Sequence, residues 1–392
     1  MTKMLFLTKC VALLASVMLP TATLAQAPSG PPLSFREVSF AVGKGPRFIA
    51  AADVNHDSKV DLVVANADSE NLTVLLGDGN GHFQQAKGSP VPCGHLPNDI
   101  AVADMNRDGN PDLVIANHQS PYITILLGDG KGGFHPAPGS PFDVHSNPHP
   151  HGVAVGAFSG AASLDVVTDS WGSNQIELLR GDGRGSLLLP GRFFRVGRRP
   201  YERLRSADFN HDGLPDVVTT NLDDDTVTVL LGDGKGGFRD APGSPDPAGG
   251  KPWQFAIDDF NKDGNPDMAI IPYERDLPPG QRAAVTVLLG DGTGRFSAMP
   301  GTPLSLEGCH GPSSIATGDI NGDGRPDIVV LCAESKNVAI FLSNAGKGFT
   351  RSTHSTPGGW GSVAVADLDA DGNADIIAAN PEDGTITIYF SN

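Results

Sequence analysis

The residues best equipped for chemistry are aspartates packed into short loops. Between Asp104 and Asp112, side-chain oxygens come from Asp104, Asn106, Asp108 and Asp112, at loop positions 1, 3, 5 and 9, and the Asn110 carbonyl stands at position 7. Alternate residues of a tight loop turn inward, and Gly109 at position 6 allows the sharp bend. An all-oxygen set rich in carboxylates suits Ca²⁺, with bonds of ~2.3–2.6 Å, better than Mg²⁺. Each loop leads into a strand rather than the second helix of an EF-hand, which argues for structural sites and not a sensor.

Four other loops repeat the set. They are Asp208, Asn210, Asp212 and Asp216 with the Leu214 carbonyl; Asp259, Asn261, Asp263 and Asp267 with that of Asn265; Asp319, Asn321, Asp323 and Asp327 with that of Arg325; and Asp367, Asp369, Asp371 and Asp375 with that of Asn373. The first loop, Asp53, Asn55, Asp57 and Asp61 with the Lys59 carbonyl, has Ser58 at position 6 and is expected to bind more weakly. A degenerate copy presents Ala157, Ser159 and Ala161, keeps only Asp165, and is expected to hold no ion. The expected cofactor content is therefore about six structural Ca²⁺ ions.

These loops recur because the chain is a repeat. Their first positions are spaced 51, 53, 51, 51, 60 and 48 residues apart, which makes seven units. A second phrase follows in each unit, as in Leu72 to Phe83, Ile123 to Phe134, Val227 to Phe238 and Val285 to Phe296, with looser copies at Ile176 and Val338. It reads as a strand, a Gly-Asp-Gly turn and another strand. With the two short strands flanking each acidic loop, every unit supplies four antiparallel strands, one blade of a seven-bladed β-propeller. No segment has sustained helical periodicity. The last unit stops at Asn392 without an outer strand, and Leu33 to Val38 resembles that missing strand, with Phe35 in the place of Phe83. Residues from about 33 to 40 are thus expected to complete the last blade and hide an open edge.

The units resemble FG-GAP and VCBS-type repeats, the blades of integrin α-subunit propellers and of many secreted bacterial proteins. The resemblance spans nearly all of residues 33–392 and implies the propeller fold, but it says little about a ligand. Some members of such families are enzymes acting on polysaccharides or phosphoesters, which keeps that alternative open.

The N-terminus reads as an export signal, with Lys3 and Lys9 flanking an apolar stretch, cleavage expected after Ala25, and the propeller occupying residues 26–392. No segment approaches the roughly 20 apolar residues of a membrane span. The expected product is a monomer in the periplasm or outside the cell. Loss of the two lysines turns a net charge of −17 into −19, which disfavours nucleic acid as a partner. Six loops hold 19 aspartates, so six Ca²⁺ would return the balance to about −7. Cys10 leaves with the signal, and among Cys93, Cys309 and Cys332 a Cys309–Cys332 pair and free thiols both remain open.

Calcium loops and Gly-Asp-Gly turns share one end of the blades, so a specific site is expected at the other end. The loops there carry His118, His145, His149, His151, Trp171, Tyr201, Trp253, Trp360 and an insertion from Tyr273 to Arg282. Six places before each first loop position stand Arg47, Asn98, His151, Glu202, Trp253, Ser313 and Gly361, a mixed row expected to ring the channel mouth. His151, Tyr201, Trp253 and Trp360 are the expected ligand-binding residues, for a carbohydrate or a protein. His145, His149 and His151, with His118, are also candidate imidazole ligands of a transition metal. Three places and one place before each first loop position the residues are small except at Arg205 and Asp258, which are expected to face each other. No nucleophile with its base, and no shared carboxylate pair outside the loops, stands out, so the sequence reads as a binding module and not an enzyme.

Overall fold

The computed structural model describes residues 33–160, 163–345 and 348–392. The expected signal at residues 1–25, with Cys10, and Ala161 of the degenerate loop lie outside the described residues. Each unit folds because β-branched runs are interrupted by Asp-Gly turns that reverse the chain. In the first, Pro46–Ala52, Asp61–Asn66, Asn71–Gly77 and Phe83–Gln85 pair in that order. The second strand is buried along its whole length. Both of its faces meet neighbouring sheets, which accounts for the unbroken run Leu62-Val63-Val64-Ala65.

Seven such sheets make an all-β seven-bladed propeller, and the 3₁₀ turn Glu274–Asp276 is the single helical element among the described residues. The inner strand of blade 7, Val363–Ala366, touches that of blade 1, so the ring closes. The outer strand of blade 7 is Phe35–Ala41, paired antiparallel with Thr385–Ser391. Phe35 lies opposite Ser391, as Phe83 lies opposite Gly77 in blade 1.

The core is divided among seven apolar clusters, one at each seam between adjacent blades. At the seam of blades 7 and 1, Ile49, Leu62 and Val64 meet Ile377, Ile386 and Phe390. Each such side chain contributes about 1.5–3 kcal/mol by leaving water. Cys309 and Cys332 form a disulfide between the connector entering blade 6 and the end of its second strand, Asp327–Cys332. Cys93 is free and buried, and burial pushes its thiol up to about 12.

One irregularity recurs near the start of the inner strands. In blades 1, 2, 5 and 6 the pairing register skips a single residue, namely Arg47, Asn98, Trp253 and Ser313. In blade 4 it skips residues 201–203. A bulge of this kind bends the strand and re-aims the side chains beside it.

Candidate functional site

At the acidic end, the ninth loop position has a role of its own. Asp61 is fully buried and accepts hydrogen bonds from the backbone N–H groups of Val54 (3.0 Å) and Gly77 (2.8 Å). Asp112 does the same for Met105 and Gly128, both at 2.8 Å. In the degenerate loop, Asp165 accepts from Ser159 (2.7 Å) and Gly181 (3.0 Å). This aspartate ties the acidic loop to the end of the third strand, which is why it persists where the other loop carboxylates are gone. Asp165→Ala is expected to leave two buried N–H groups unpaired and cost about 2–5 kcal/mol in denaturant unfolding. The number of bound metal ions should not change.

The other loop positions converge as a cation site requires. Asp104 gathers the N–H groups of Arg107 (2.7 Å) and Gly109 (3.0 Å), and the Asn106 amide donates to Asp108 at 3.0 Å. Ser58 adopts φ 64°, the left-handed conformation that Gly109 (φ 88°) takes without strain, so the first loop is built at a cost the others avoid. In blade 7, carboxylate oxygens of Asp367, Asp369 and Asp375 lie within 4.8 Å of one another. Oδ1 of Asp367 and Oδ1 of Asp369 are buried without a hydrogen-bond partner among the described residues. Burial, then the charges of Asp371 and Asp367, push the Asp369 carboxyl up. Burial likewise pushes Asp216, Asp267 and Asp375 up to about 6 and Asp327 to about 7. Orphaned oxygens and mutually repelling carboxylates fit a hard cation, which would satisfy both.

At the opposite end, a pocket opens on the axis. Its wall takes Arg47, Asn98, Glu202, Trp253, Ser313 and Gly361 from the row six places before the loops. Phe48, Asp99, Arg203, Gln254 and Ser362, from the adjacent row, alternate with them. In blades 1, 2 and 5 the bulges bring both rows to the axis, a feature that strict strand alternation does not predict. Trp253 and Trp360 lie together, 5.9 Å between ring centroids. The insertion supplies Tyr273 against Trp253 at 5.0 Å and Arg275 over Trp360 at 4.7 Å. Trp253 is only 5 % exposed and its indole N–H has no partner among the described residues. Burial and the Arg205 charge push the Arg203 guanidinium down to about 10, still cationic at neutral pH.

Two expectations need correction. Arg205 does not meet Asp258; it makes a bidentate pair with Asp99, at 2.8 and 3.1 Å. The pair spans from blade 4 to blade 2 across blade 3, where the Val153 N–H donates to Asp99 Oδ2 at 3.1 Å and the Val153 carbonyl accepts from Arg205 at 3.5 Å. Asp258 instead accepts the N–H of Asp259 at 2.9 Å, at the acidic end of its strand. Secondly, the four expected ligand-binding residues divide. Trp253 and Trp360 line the pocket, whereas His151 and Tyr201 pack on each other, 4.4 Å apart, outside its wall.

His151 belongs to a cluster with His118 and His149, whose ring centroids are 4.5–4.8 Å apart. His118 comes from the turn after the second strand of blade 2, and the other two from the connector into blade 3. Trp171 lies over His149 and His151, at 6.1 and 5.9 Å. Burial, with the neighbouring imidazoles and Arg47, pushes His118 down to about 3, so its ring is neutral. Burial pushes the same way on His151, but its Asp169 partner prevails and moves it up. His145 is not part of the group; it lies 3.7 Å from Glu177.

The FG-GAP-like repeat profile matches residues 53–115, 208–270, 279–330 and 330–378, more than half of the chain. The chain belongs to the FG-GAP-like repeat family. Among curated proteins, this FG-GAP chain is 31% identical over 157 residues to human phosphatidylinositol-glycan-specific phospholipase D, covering 39% of the chain and 17% of that protein. The match thus spans less than a fifth of the relative's length. Among solved structures, BBS1N in complex with ARL6DN has a TM-score of 0.59 at 13% identity, over 92% of this chain and 97% of that one. Virginiamycin B lyase from Staphylococcus aureus has a TM-score of 0.55 at 13% identity, over 91% and 99%. These two likenesses concern the fold. The FG-GAP repeat accounts for the acidic end of the disc, while the paired mouth rows and the histidine cluster sit on the opposite end, where blades differ.

Proposed function

We propose that this chain is a calcium-stabilised binding module that works outside the cytoplasm and takes a ligand at the channel mouth opposite the acidic loops. The six acidic loops would hold Ca²⁺ through the carboxylates at positions 1, 5 and 9, the side-chain oxygen at position 3 and the carbonyl at position 7, with Asp369 supplying a fourth carboxylate in blade 7. The ion would supply only rigidity there. The observation that carries the binding reading is the mouth itself: two indoles beside guanidinium, carboxylate and amide groups. Such a mixture suits a carbohydrate, whose ring faces stack on indole while its hydroxyls meet planar polar groups, and it also accommodates a protein side chain. The Cys309–Cys332 disulfide supports an oxidising compartment. No helix among the described residues is long and apolar enough to cross a membrane.

A glycan array probed with the calcium-loaded chain tests this reading. Trp360→Ala is expected to weaken binding about tenfold or more, with the melting temperature and calcium content kept. Trp253→Ala is a poorer probe, because that ring is nearly buried and its loss should cost about 3–5 kcal/mol of stability. Binding to neither glycans nor extracellular proteins, or binding indifferent to Trp360→Ala, would place the site elsewhere. The phospholipase relative favours a second reading, hydrolysis of a phosphoester. Turnover of phosphodiester or polysaccharide substrates by the purified chain would replace the binding reading with it.

A further inference from the structure

We infer that His118, His149 and His151 form a second and chemically different metal site, for a borderline divalent cation of the Zn²⁺ class, at the seam of blades 2 and 3. One ring nitrogen from each lies within 4.8 Å of the others. A tetrahedral centre with bonds of ~2.0–2.1 Å separates its ligand atoms by about 3.4 Å, so modest ring rotations complete the set. Nε2 of His149 and Nε2 of His151 are buried and have no hydrogen-bond partner among the described residues. Buried polar atoms are normally paired, and a cation would pair both at once.

The surroundings prepare His151 as a ligand. It is wholly buried, and its Nδ1 faces Asp169 Oδ2 at 3.2 Å. The other oxygen of Asp169 is held by the backbone N–H groups of His151 (2.8 Å) and Gly152 (2.9 Å). A carboxylate fixed in this way keeps the proton on Nδ1 and the lone pair on Nε2, as in carboxylate–histidine–metal triads. The Tyr201 and Trp171 rings wall the cluster. A nitrogen-only donor set separates this site from the acidic loops, since imidazole selects Zn²⁺, Co²⁺, Ni²⁺ or Cu²⁺ while Ca²⁺ takes oxygen. Three protein ligands leave the fourth position for water or an oxygen of a bound molecule. The site borders the mouth: the Asn98 side-chain amide, on the pocket wall, donates to the His151 carbonyl at 3.1 Å.

The test is titration of the full chain with Co²⁺ in a large excess of Ca²⁺, which keeps the acidic loops occupied. Wild-type protein is expected to take up about one equivalent with the visible absorption of tetrahedral Co²⁺, and Zn²⁺ should displace it. His118→Ala and His149→Ala, both at partly exposed positions, should each abolish that spectrum while melting as the wild type does in Ca²⁺. Asp169→Asn, a positioning change, should weaken Co²⁺ by about 10–100-fold. A wild-type chain that binds no Co²⁺ under these conditions, or an unchanged spectrum in both histidine variants, would overturn the assignment.

Discussion

Removal of calcium with a chelator is expected to lower the melting temperature by about 10 °C. If each loop is held at about ten times its dissociation constant, mass action contributes ~1.4 kcal/mol per ion, or ~8 kcal/mol for six. Divided by the unfolding entropy of a domain of this size, that gives the stated shift. Repulsion among the loop carboxylates acts in the same direction once the cations leave. Asp108→Ala and Asp371→Ala should each remove one ion, counted by elemental analysis, and lower melting by a degree or two. Ser58→Gly should tighten the first loop, because glycine adopts φ near 64° without strain. Unchanged melting in chelator, with no metal bound beforehand, would refute the reading of the loops.

Deleting residues 33–41 is expected to be comparably damaging, at about 4–8 kcal/mol. The strand makes seven cross-strand pairs with Thr385–Ser391, and each backbone hydrogen bond lost is worth about 1 kcal/mol. Apolar contacts disappear with it, since Phe40 packs on Phe83 at 5.5 Å and the Arg36 guanidinium covers the Phe390 ring at 3.9 Å. The bare edge of blade 7 is also a template for association. Denaturant unfolding and light scattering of the truncated chain measure both effects. A truncated chain that melts like the intact one and stays monodisperse would mean that the seam contributes little.

The acidic end was legible in the sequence because local geometry dictates residue identity there. Position 6 must tolerate a left-handed backbone, and position 9 must fill a fixed pair of N–H groups. Such demands recur at constant spacing, so they reveal both the repeat and the blade. The mouth was only half legible, since the row containing Arg47 and Trp253 was found and the row containing Asp99 and Arg203 was not. Strand alternation assigns neighbouring residues to opposite faces, and in blades 1, 2 and 5 the bulges, which leave no obvious mark in the sequence, bring both to the axis. The Arg205–Asp99 pair escaped for a related reason. Repeat alignment orders residues along a strand but does not tell how far a guanidinium reaches across the backbone of the intervening blade. The histidines were visible as a group, yet spacing alone admitted His145, which the fold directs to Glu177.

The seam in blade 7 also has a mechanical consequence. Its two strands are antiparallel, and Phe35 lies opposite Ser391, with the Asn392 N–H donating to the Ser34 carbonyl at 3.2 Å. A tension applied between those neighbouring ends would load the ladder one rung at a time, because its hydrogen bonds run perpendicular to the strands. The propeller would therefore unzip at low force from this point, although the same strand adds substantially to its resistance to heat. Tethered through either end alone, the disc carries no load across the seam and keeps its full strength.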